Sequence, residues 1–234
     1  LKTLEAMINE HTQAVIINSP NNPSGVVFSR ETLEKVAAIL TKKSEELGRP
    51  VYLISDEPYR ELVYDGVEVP WVPSIYKDTL VCYSLFQISV SARRTYRLCI
   101  CSRKNDRCKR NVCCNRRGIQ SNWSCMSSDT DSACSCSLCI WKTWPGSIRC
   151  KPETALQWSE EIGYECANPD GAFYLFVKAP GGDGKAFSEK CKLKNLLVVP
   201  SDDFGVEGYF RLCYCVAKET IEKSLPIFEE VFNA

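Results

Sequence analysis

Polar side chains follow three predicted strands of this chain, at the point where each strand ends. Asn22 lies in the turn after the first strand, Asp56 and Tyr59 follow the second, and Ser84 ends the third. In open parallel sheets, ligands bind in the crevice beyond the carboxyl ends of the strands. We therefore expect these amide, carboxylate, phenol and hydroxyl groups to converge on one edge that binds a ligand.

The elements that must position these side chains have an α/β pattern. The short apolar runs 14–18, 51–55 and 79–84 are predicted to be buried parallel strands. Between the first two, Ser29 is suited to N-cap a helix that ends near Gly48. One apolar face of this helix is formed by Leu33, Val36, Ala37 and Leu40. This order predicts a right-handed βαβ unit.

The C-terminal stretch, residues 161–234, predicts a smaller α+β domain. The sequences GYEC and AFYLFVKA read as strands around a turn at 168–171. A helix, two strands and an amphipathic helix are then expected in the segments 185–194, 196–200, 209–216 and 218–232.

The middle stretch, residues 86–160, differs from both flanks in composition. Leu, Ile, Val and Phe occupy 11 of its 75 positions, and 13 Arg and Lys stand against 5 Asp and Glu. Such a segment has too few large apolar residues to bury a core. No helical or strand period persists, so we expect this segment to be poorly structured.

The motifs NNPSG, SDEPY and YS, in this order, resemble those of class I/II aminotransferases of fold type I, the family of aspartate aminotransferase. That resemblance implies that Asn22 and Tyr59 contact the 3'-oxygen of pyridoxal 5'-phosphate. It further implies that Asp56 pairs with the pyridine nitrogen, Ser84 binds the phosphate and Arg211 grips the substrate α-carboxylate. A carboxylate beside the ring nitrogen keeps it protonated, and a planar guanidinium can clamp a carboxylate with two hydrogen bonds.

The resemblance covers residues 1–85 and 161–234, which are 159 of 234 positions. It implies part of a cofactor-binding large domain over 1–85, with a mainly parallel sheet and flanking helices. A disrupted, apparently out-of-frame segment follows over 86–160, and the aminotransferase small domain over 161–234. The implied reaction moves an amino group from an amino acid to a 2-oxo acid, and members of the family are usually homodimers.

Each site residue also has a plain structural interpretation. Asn22 and Asp56 could be turn residues, Tyr59 could serve packing, and Arg211 could be a surface charge on a strand. The order, the spacing and the placement at strand ends together favour the cofactor site over coincidence.

The lysine that forms the Schiff base in this family is absent, because Gln87 stands at its position and an amide nitrogen cannot form an imine. A possible DNA encoding of Phe86–Arg97, read without its first base, translates as SKSLSLPGERI, which is the family motif. We hypothesise that one base was gained near codon 86 and one was lost near codon 160. Out-of-frame translation would also explain the excess of Cys, Arg and Ser between these points.

Bulk composition excludes several other classes of protein. The net charge of zero gives no sign of a nucleic-acid partner, and no run of about 18 apolar residues predicts a transmembrane helix. The chain begins with neither Met nor a signal peptide, so we expect a cytoplasmic protein truncated at its N-terminus. Ten of its 15 cysteines lie between Cys99 and Cys150, but paired C-x-x-C knuckles of a zinc site are lacking, so no metal is predicted.

The sequence therefore predicts an aminotransferase that is inactive as written. A non-catalytic, decayed or pseudoenzyme fragment is the second hypothesis. A cysteine-rich metal-binding protein is the third.

Overall fold

The computed structural model describes residues 1–85, 96–101, 123–126 and 161–233 of the 234-residue chain. The helices are α1 (Lys2–Met7), α2 (Arg30–Glu46), α3 (Val72–Ile75), α4 (Gly184–Leu193) and α5 (Lys218–Phe232). The strands are β1 (Ala14–Asn18), β2 (Tyr52–Asp56), β3 (Thr79–Leu85), β4 (Tyr96–Cys101), β5 (Trp123–Met126), β6 (Tyr174–Lys178), β7 (Val199–Pro200) and β8 (Tyr209–Cys213). Short 3-10 helices span Pro180–Gly182 and Asp202–Phe204.

The chain divides into two compact units whose segments alternate along the sequence. The first unit comprises Leu1–Ser19, Phe28–Arg60 and Glu68–Trp144, and the second comprises Pro20–Val27, Glu61–Val67 and Pro145–Ala234. Two loop segments of the N-terminal stretch thus belong to the second unit. The division by sequence at residues 85 and 161 remains a proposal.

A five-stranded sheet in the order β1-β2-β3-β4-β5 forms the centre of the first unit. Strands β1, β2 and β3 run parallel, with Asn18 opposite Asp56 and Asp56 opposite Cys82. The predicted α/β architecture with a mainly parallel sheet is confirmed. The register brings the ends of β1 and β2 together, which places Asn18 beside Asp56.

Helix α2 connects β1 to β2 and begins and ends where the sequence predicted. The Ser29 side chain accepts a hydrogen bond from the Thr32 backbone N–H at 3.2 Å, and Gly48 adopts a φ of +63° after the last turn. The four residues of the predicted apolar face are all buried. They pack in one cluster with Val51 and Leu53 of the β2 region.

Two short strands lie within the segment for which no persistent period was predicted. Strand β4 pairs antiparallel with β3, and β5 pairs parallel with β4. Two stretches of the segment that we expect to be poorly structured, 96–101 and 123–126, are therefore paired strands. Ladder hydrogen bonds join backbone groups, so a strand can pair without a regular apolar period. The remainder of 86–160 lies outside the described residues.

A three-stranded antiparallel sheet, in the order β6-β8-β7, forms the second unit together with α4 and α5. Its core contains Leu175, Phe187, Phe210 and Phe228, which come from one strand, one helix, another strand and the last helix. The predicted strand GYEC is reduced to a single bridge between Cys166 and Val177. None of the helices in the described part of the chain is long and apolar enough to cross a membrane.

Candidate active site

Asp56 is the last residue of β2, and the end of β1 holds its carboxylate from one side. The Asn18 side-chain amide donates to Asp56 Oδ2 at 3.2 Å and to the Asp56 carbonyl at 3.0 Å. The Ser19 backbone N–H donates to the same carbonyl at 3.3 Å. A carboxylate held at the carboxyl end of a parallel strand is well placed to bind a cationic group of a ligand.

Three of the predicted cofactor ligands lie in the first unit, at or after strand ends. Asp56 ends β2, Tyr59 follows three residues later with a buried side chain, and Ser84 belongs to β3. For Ser84 the structure describes the backbone. Gln87, at the position of the family lysine, lies outside the described residues.

Glu57 carries a buried charge that the sequence interpretation did not single out. Its side chain is 1% exposed. The Ser55 hydroxyl donates to Glu57 Oε1 at 2.7 Å, and Arg60 Nη1 lies 2.6 Å from Glu57 Oε2. The Glu57 backbone N–H also donates to the Cys82 carbonyl at 2.8 Å, which extends the pairing of β2 with β3 beyond Asp56.

The loop that carries Asn22 is a compact turn in the second unit. Asn21 Oδ1 accepts hydrogen bonds from the backbone N–H and the hydroxyl of Ser24 at 3.1 and 2.8 Å. Gly25 follows with a φ of +72°, and a Cβ there would lie 2.5 Å from Pro169 Cβ. The Asn22–Pro23 peptide bond is cis. A glycine is required at position 25 both by the backbone and by this close approach.

The same loop is bonded to the turn at 168–171. The Val27 backbone N–H donates to Asp170 Oδ2 at 2.9 Å, and the Gly171 backbone N–H donates to the Gly25 carbonyl at 2.9 Å. These bonds attach the loop that carries Asn22 to the turn that precedes β6. The sequence predicts only a connecting turn at 168–171, because these bonds join segments 143 residues apart and leave no local signal.

Arg211 is the middle residue of β8, and its guanidinium lies among aromatic rings. Its central carbon is 4.8 Å from the Tyr174 ring centroid and 5.2 Å from that of Phe204. Its Nη1 donates to Asn22 Oδ1 at 2.9 Å. Its Nε is buried and has no hydrogen-bond partner among the described residues. A surface charge would be solvated, so the aromatic enclosure and the unpaired donor favour the binding of an anion.

Behind this strand, two tyrosine hydroxyls share one backbone acceptor. Tyr64 and Tyr214 both donate to the Ala172 carbonyl, and their oxygens lie 3.0 Å apart. Both side chains are buried, and burial raises the pKa of each phenol. Neutral hydroxyls are the donors that this carbonyl requires, so the pair links residues 64, 172 and 214 at ordinary pH.

Of the site residues that were not predicted, one had a signal in the sequence. Asn18 ends a strand beside the predicted site, as Asp56 does, so its position was a usable signal. Tyr174 and Phe204 carried no such signal, because they approach Arg211 only through the pairing and packing of distant segments. In the described part of the chain, no group of three or more His, Cys, Asp or Glu side chains could hold a metal ion. Of the ten cysteines between Cys99 and Cys150, Cys99, Cys101 and Cys125 belong to described strands and the other seven lie outside the described residues.

The known proteins to which this chain is similar are aminotransferases. Residues 1–85 match the family model described as aminotransferase class I and II. An aspartate aminotransferase of Thermotoga maritima is 30% identical over 241 residues, with 100% of this chain and 60% of that protein covered. Aromatic-amino-acid aminotransferase 2 of Thermococcus litoralis is 28% identical, with 98% and 60% covered. The chain spans about 60% of the length of these curated relatives.

Solved structures agree with the sequence comparisons. The crystal structure of an amino transferase from Eubacterium rectale superposes with a TM-score of 0.86 at 39% identity, and the match covers 99% of this chain and 58% of that one. An aspartate aminotransferase structure from Thermotoga maritima gives a TM-score of 0.77 at 25% identity, with 100% and 60% covered. The predicted fold type is confirmed by these neighbours. Residues 1–85 thus match the class I and II aminotransferase family, and the fold of the chain is that of the aminotransferases it is similar to.

Proposed function

We propose that the complete protein is a pyridoxal-phosphate-dependent aminotransferase, which transfers an amino group from an amino acid to a 2-oxo acid. The observation that carries the proposal is the environment of Arg211. Its guanidinium carbon lies over the rings of Tyr174 and Phe204, and its buried Nε lacks a partner among the described residues. Such a donor favours a bound carboxylate, which is common to amino acids and 2-oxo acids.

The family resemblance assigns cofactor-binding roles to residues of each unit. In the first unit, Asp56 would pair with the ring nitrogen, Tyr59 would contact the 3'-oxygen and Ser84 would bind the phosphate. In the second, Asn22 would donate to the 3'-oxygen. When bound, the protonated ring acts as an electron sink for the substrate. The donor set fits the ring, whereas covalent attachment does not fit, because Gln87 cannot form an imine.

The roles of the chain's own residues follow from this placement. Asn18 orients the Asp56 carboxylate through a 3.2 Å hydrogen bond, which would keep the charge available to the ring nitrogen of a bound cofactor. Arg211 orients the substrate through its carboxylate. Asn22 accepts from Arg211 through Oδ1, which leaves its amide nitrogen oriented away from the guanidinium as a donor. The proton transfer assigned to lysine in the family has no group at position 87.

Because that lysine is missing, we propose that the literal chain binds the cofactor reversibly and does not turn over. The non-catalytic fragment, the second candidate, is supported by the same Gln87. The proposed frameshift has two possible origins, an error in reading the DNA and a real mutation, and resequencing the DNA separates them. Homodimerisation and a cytoplasmic location are further proposals for the complete protein, based on the family.

Cofactor binding is tested by calorimetric titration with pyridoxamine 5'-phosphate, which has an amine in place of the aldehyde and cannot label surface lysines. We expect saturable binding that Asp56→Ala abolishes, whereas Asp65→Ala, at an exposed aspartate, leaves it unchanged. If the unaltered chain shows no saturable binding, the proposed function is overturned.

The frame is tested by sequencing the DNA across codons 84–162. Restoring the frame is expected to place a lysine at position 87 and to permit amino-donor turnover. An unambiguous in-frame read would exclude a sequencing error. Turnover by the restored protein would support the enzyme over the decayed fragment, and stoichiometric metal in the purified chain would favour the cysteine-rich alternative.

A further inference from the structure

We propose that Glu57 is a positioning residue, whose buried carboxylate fixes Asp56 and Tyr59 in the orientation that the cofactor ring requires. The inference rests on the proposed function and deepens it. Glu57 lies in the sequence between the proposed ring ligands Asp56 and Tyr59, and its carboxylate contacts Ser55 and Arg60.

Glu57 is among the largest fully buried side chains of the described residues, and it is a carboxylate. Transferring an ionised carboxylate out of water is costly unless it is paired and hydrogen-bonded. Glu57 meets both conditions through Ser55 Oγ at 2.7 Å and Arg60 Nη1 at 2.6 Å. A buried ion pair is weak evidence for a gain in stability.

Arg60 extends the pair to a neighbouring segment. Its Nη2 donates to the Val69 carbonyl at 2.6 Å, and its Nη1 lies 3.3 Å from the Pro70 carbonyl. Its guanidinium carbon also lies 5.4 Å from the centroid of the Trp71 ring. The arginine side chain is 22% exposed, so it reaches from the buried carboxylate towards the surface. One guanidinium thus joins residues 57 and 69–71.

The residues that hold this segment flank the proposed ring ligands, Asp56 and Tyr59, in the sequence. Ser55 and Glu57 are buried on one face of the sheet, and Asp56 is directed to the opposite face because successive strand residues alternate. The Glu57 backbone is bonded to Cys82, and the Arg60 backbone N–H donates to the Glu57 carbonyl at 3.4 Å. The segment from 55 to 60 is therefore held at 55, 57 and 60.

In this arrangement Glu57 would orient the proposed ring ligands without itself contacting the ring. Asp56 and Tyr59 present their side chains from positions whose backbone the buried pair holds. A pairing between a carboxylate and a ring nitrogen depends on distance and angle, so a loosened segment would weaken it without removing either ligand. Loss of the Glu57 charge should therefore alter the ring nitrogen even though Glu57 does not contact it.

The test compares the full chain with Glu57→Gln by titration with pyridoxamine 5'-phosphate labelled with ¹⁵N in its ring. Loss of the charge leaves Arg60 without its buried partner, and we expect the dissociation constant to rise about tenfold or more. The ¹⁵N resonance of the bound ring is expected to move from the protonated towards the neutral position. Glu68→Gln, the same substitution at an exposed residue, is the matched control and should match the unaltered chain.

A second variant guards against simple unfolding. Glu57→Gln combined with Arg60→Gln removes both charges, so neither remains buried without a partner. We expect this double variant to unfold at a higher temperature than Glu57→Gln while its cofactor affinity remains weak. A purely structural pair would instead recover affinity together with stability.

The outcomes are distinguishable. If the unaltered chain binds the cofactor and Glu57→Gln binds it with the same affinity and the same ¹⁵N resonance, the role of Glu57 is overturned and the proposed function stands. Recovery of affinity in the double variant would also overturn it. If the unaltered chain does not bind, the proposed function and the role of Glu57 are overturned together.

Discussion

Arg211 Nη1 donates to Asn22 Oδ1 at 2.9 Å, although 189 residues separate the two in the sequence. The bond joins the middle of β8 to the turn after β1, within the second unit. The guanidinium is further held by the rings of Tyr174 and Phe204. Asn22 and Arg211, to which the family resemblance assigns the cofactor and the substrate, are thus direct partners.

Replacing Asn22 tests how much this bond contributes. In Asn22→Ala, Arg211 Nη1 loses its partner in a partly buried site, and we expect the free energy of unfolding to fall by about 1.5 kcal/mol. Denaturant titration measures the change. Asn168→Ala, at an exposed asparagine, is the control and should lie within about 0.5 kcal/mol of the unaltered chain. Equal stability of the two variants would show that the bond contributes nothing.

Gly184, the first residue of α4, packs against β8. A Cβ at this position would lie 2.1 Å from the Tyr209 carbonyl oxygen. Replacing glycine by alanine normally stabilises a helix. Here Gly184→Ala should instead destabilise the protein by about 1–3 kcal/mol, because the backbone must move. Thermal unfolding measures this. Lys185→Ala, one residue later and exposed, should change stability little. A stabilised Gly184→Ala variant would contradict the close approach.

Stability should fall in alkaline solution, and Cys191 should contribute to the fall. Burial raises the pKa of the Cys191 thiol from 9.0 to about 11. Between these values the unfolded chain has lost the proton and the folded chain retains it, so unfolding becomes more favourable as pH rises. The contribution of the thiol to the free energy of unfolding is present below pH 9. It is lost progressively towards pH 11, by on the order of 1 kcal/mol per pH unit.

Denaturant titrations from pH 7 to 11 measure this slope. Cys191→Ala should start from a lower stability, since it leaves a cavity, but should lose less between pH 9 and 11. Val198→Ala truncates another buried residue that has no ionisable group, and should lower stability evenly at each pH. Equal slopes in the two variants would count against the buried thiol. The buried tyrosines, whose pKa values are also raised by burial, maintain a residual slope in both.

The shared acceptor of Tyr64 and Tyr214 predicts coupling between them. Each single change to Phe should cost about 0.5–1.5 kcal/mol, because the other hydroxyl still donates to the Ala172 carbonyl. The double variant leaves that buried carbonyl without either donor and should cost more than the sum. A double-mutant cycle in denaturant measures the difference. Strict additivity would show that the hydroxyls do not compensate for one another.

Much of the first unit could be predicted from the sequence because its signals are local. The apolar runs of β1, β2 and β3, the Ser29 cap and the buried face of α2 each depend on residues close in the chain. Local signals are weaker where strands are short. The predicted strands at 163–166 and 196–200 are therefore a single bridge and the two-residue strand β7.

In the candidate site, too, local features could be predicted from the sequence and contacts between distant segments could not. The sequence by itself determined that Asn22 and Asp56 lie after or at the end of a strand, that position 87 holds no lysine, and that the motifs resemble one family. Only the tertiary structure decided that Arg211 meets Asn22, that Tyr174 and Phe204 enclose its guanidinium, and that Glu57 is buried against Arg60. Spacing along a strand sets which face a side chain occupies, whereas its partner depends on how distant segments pack.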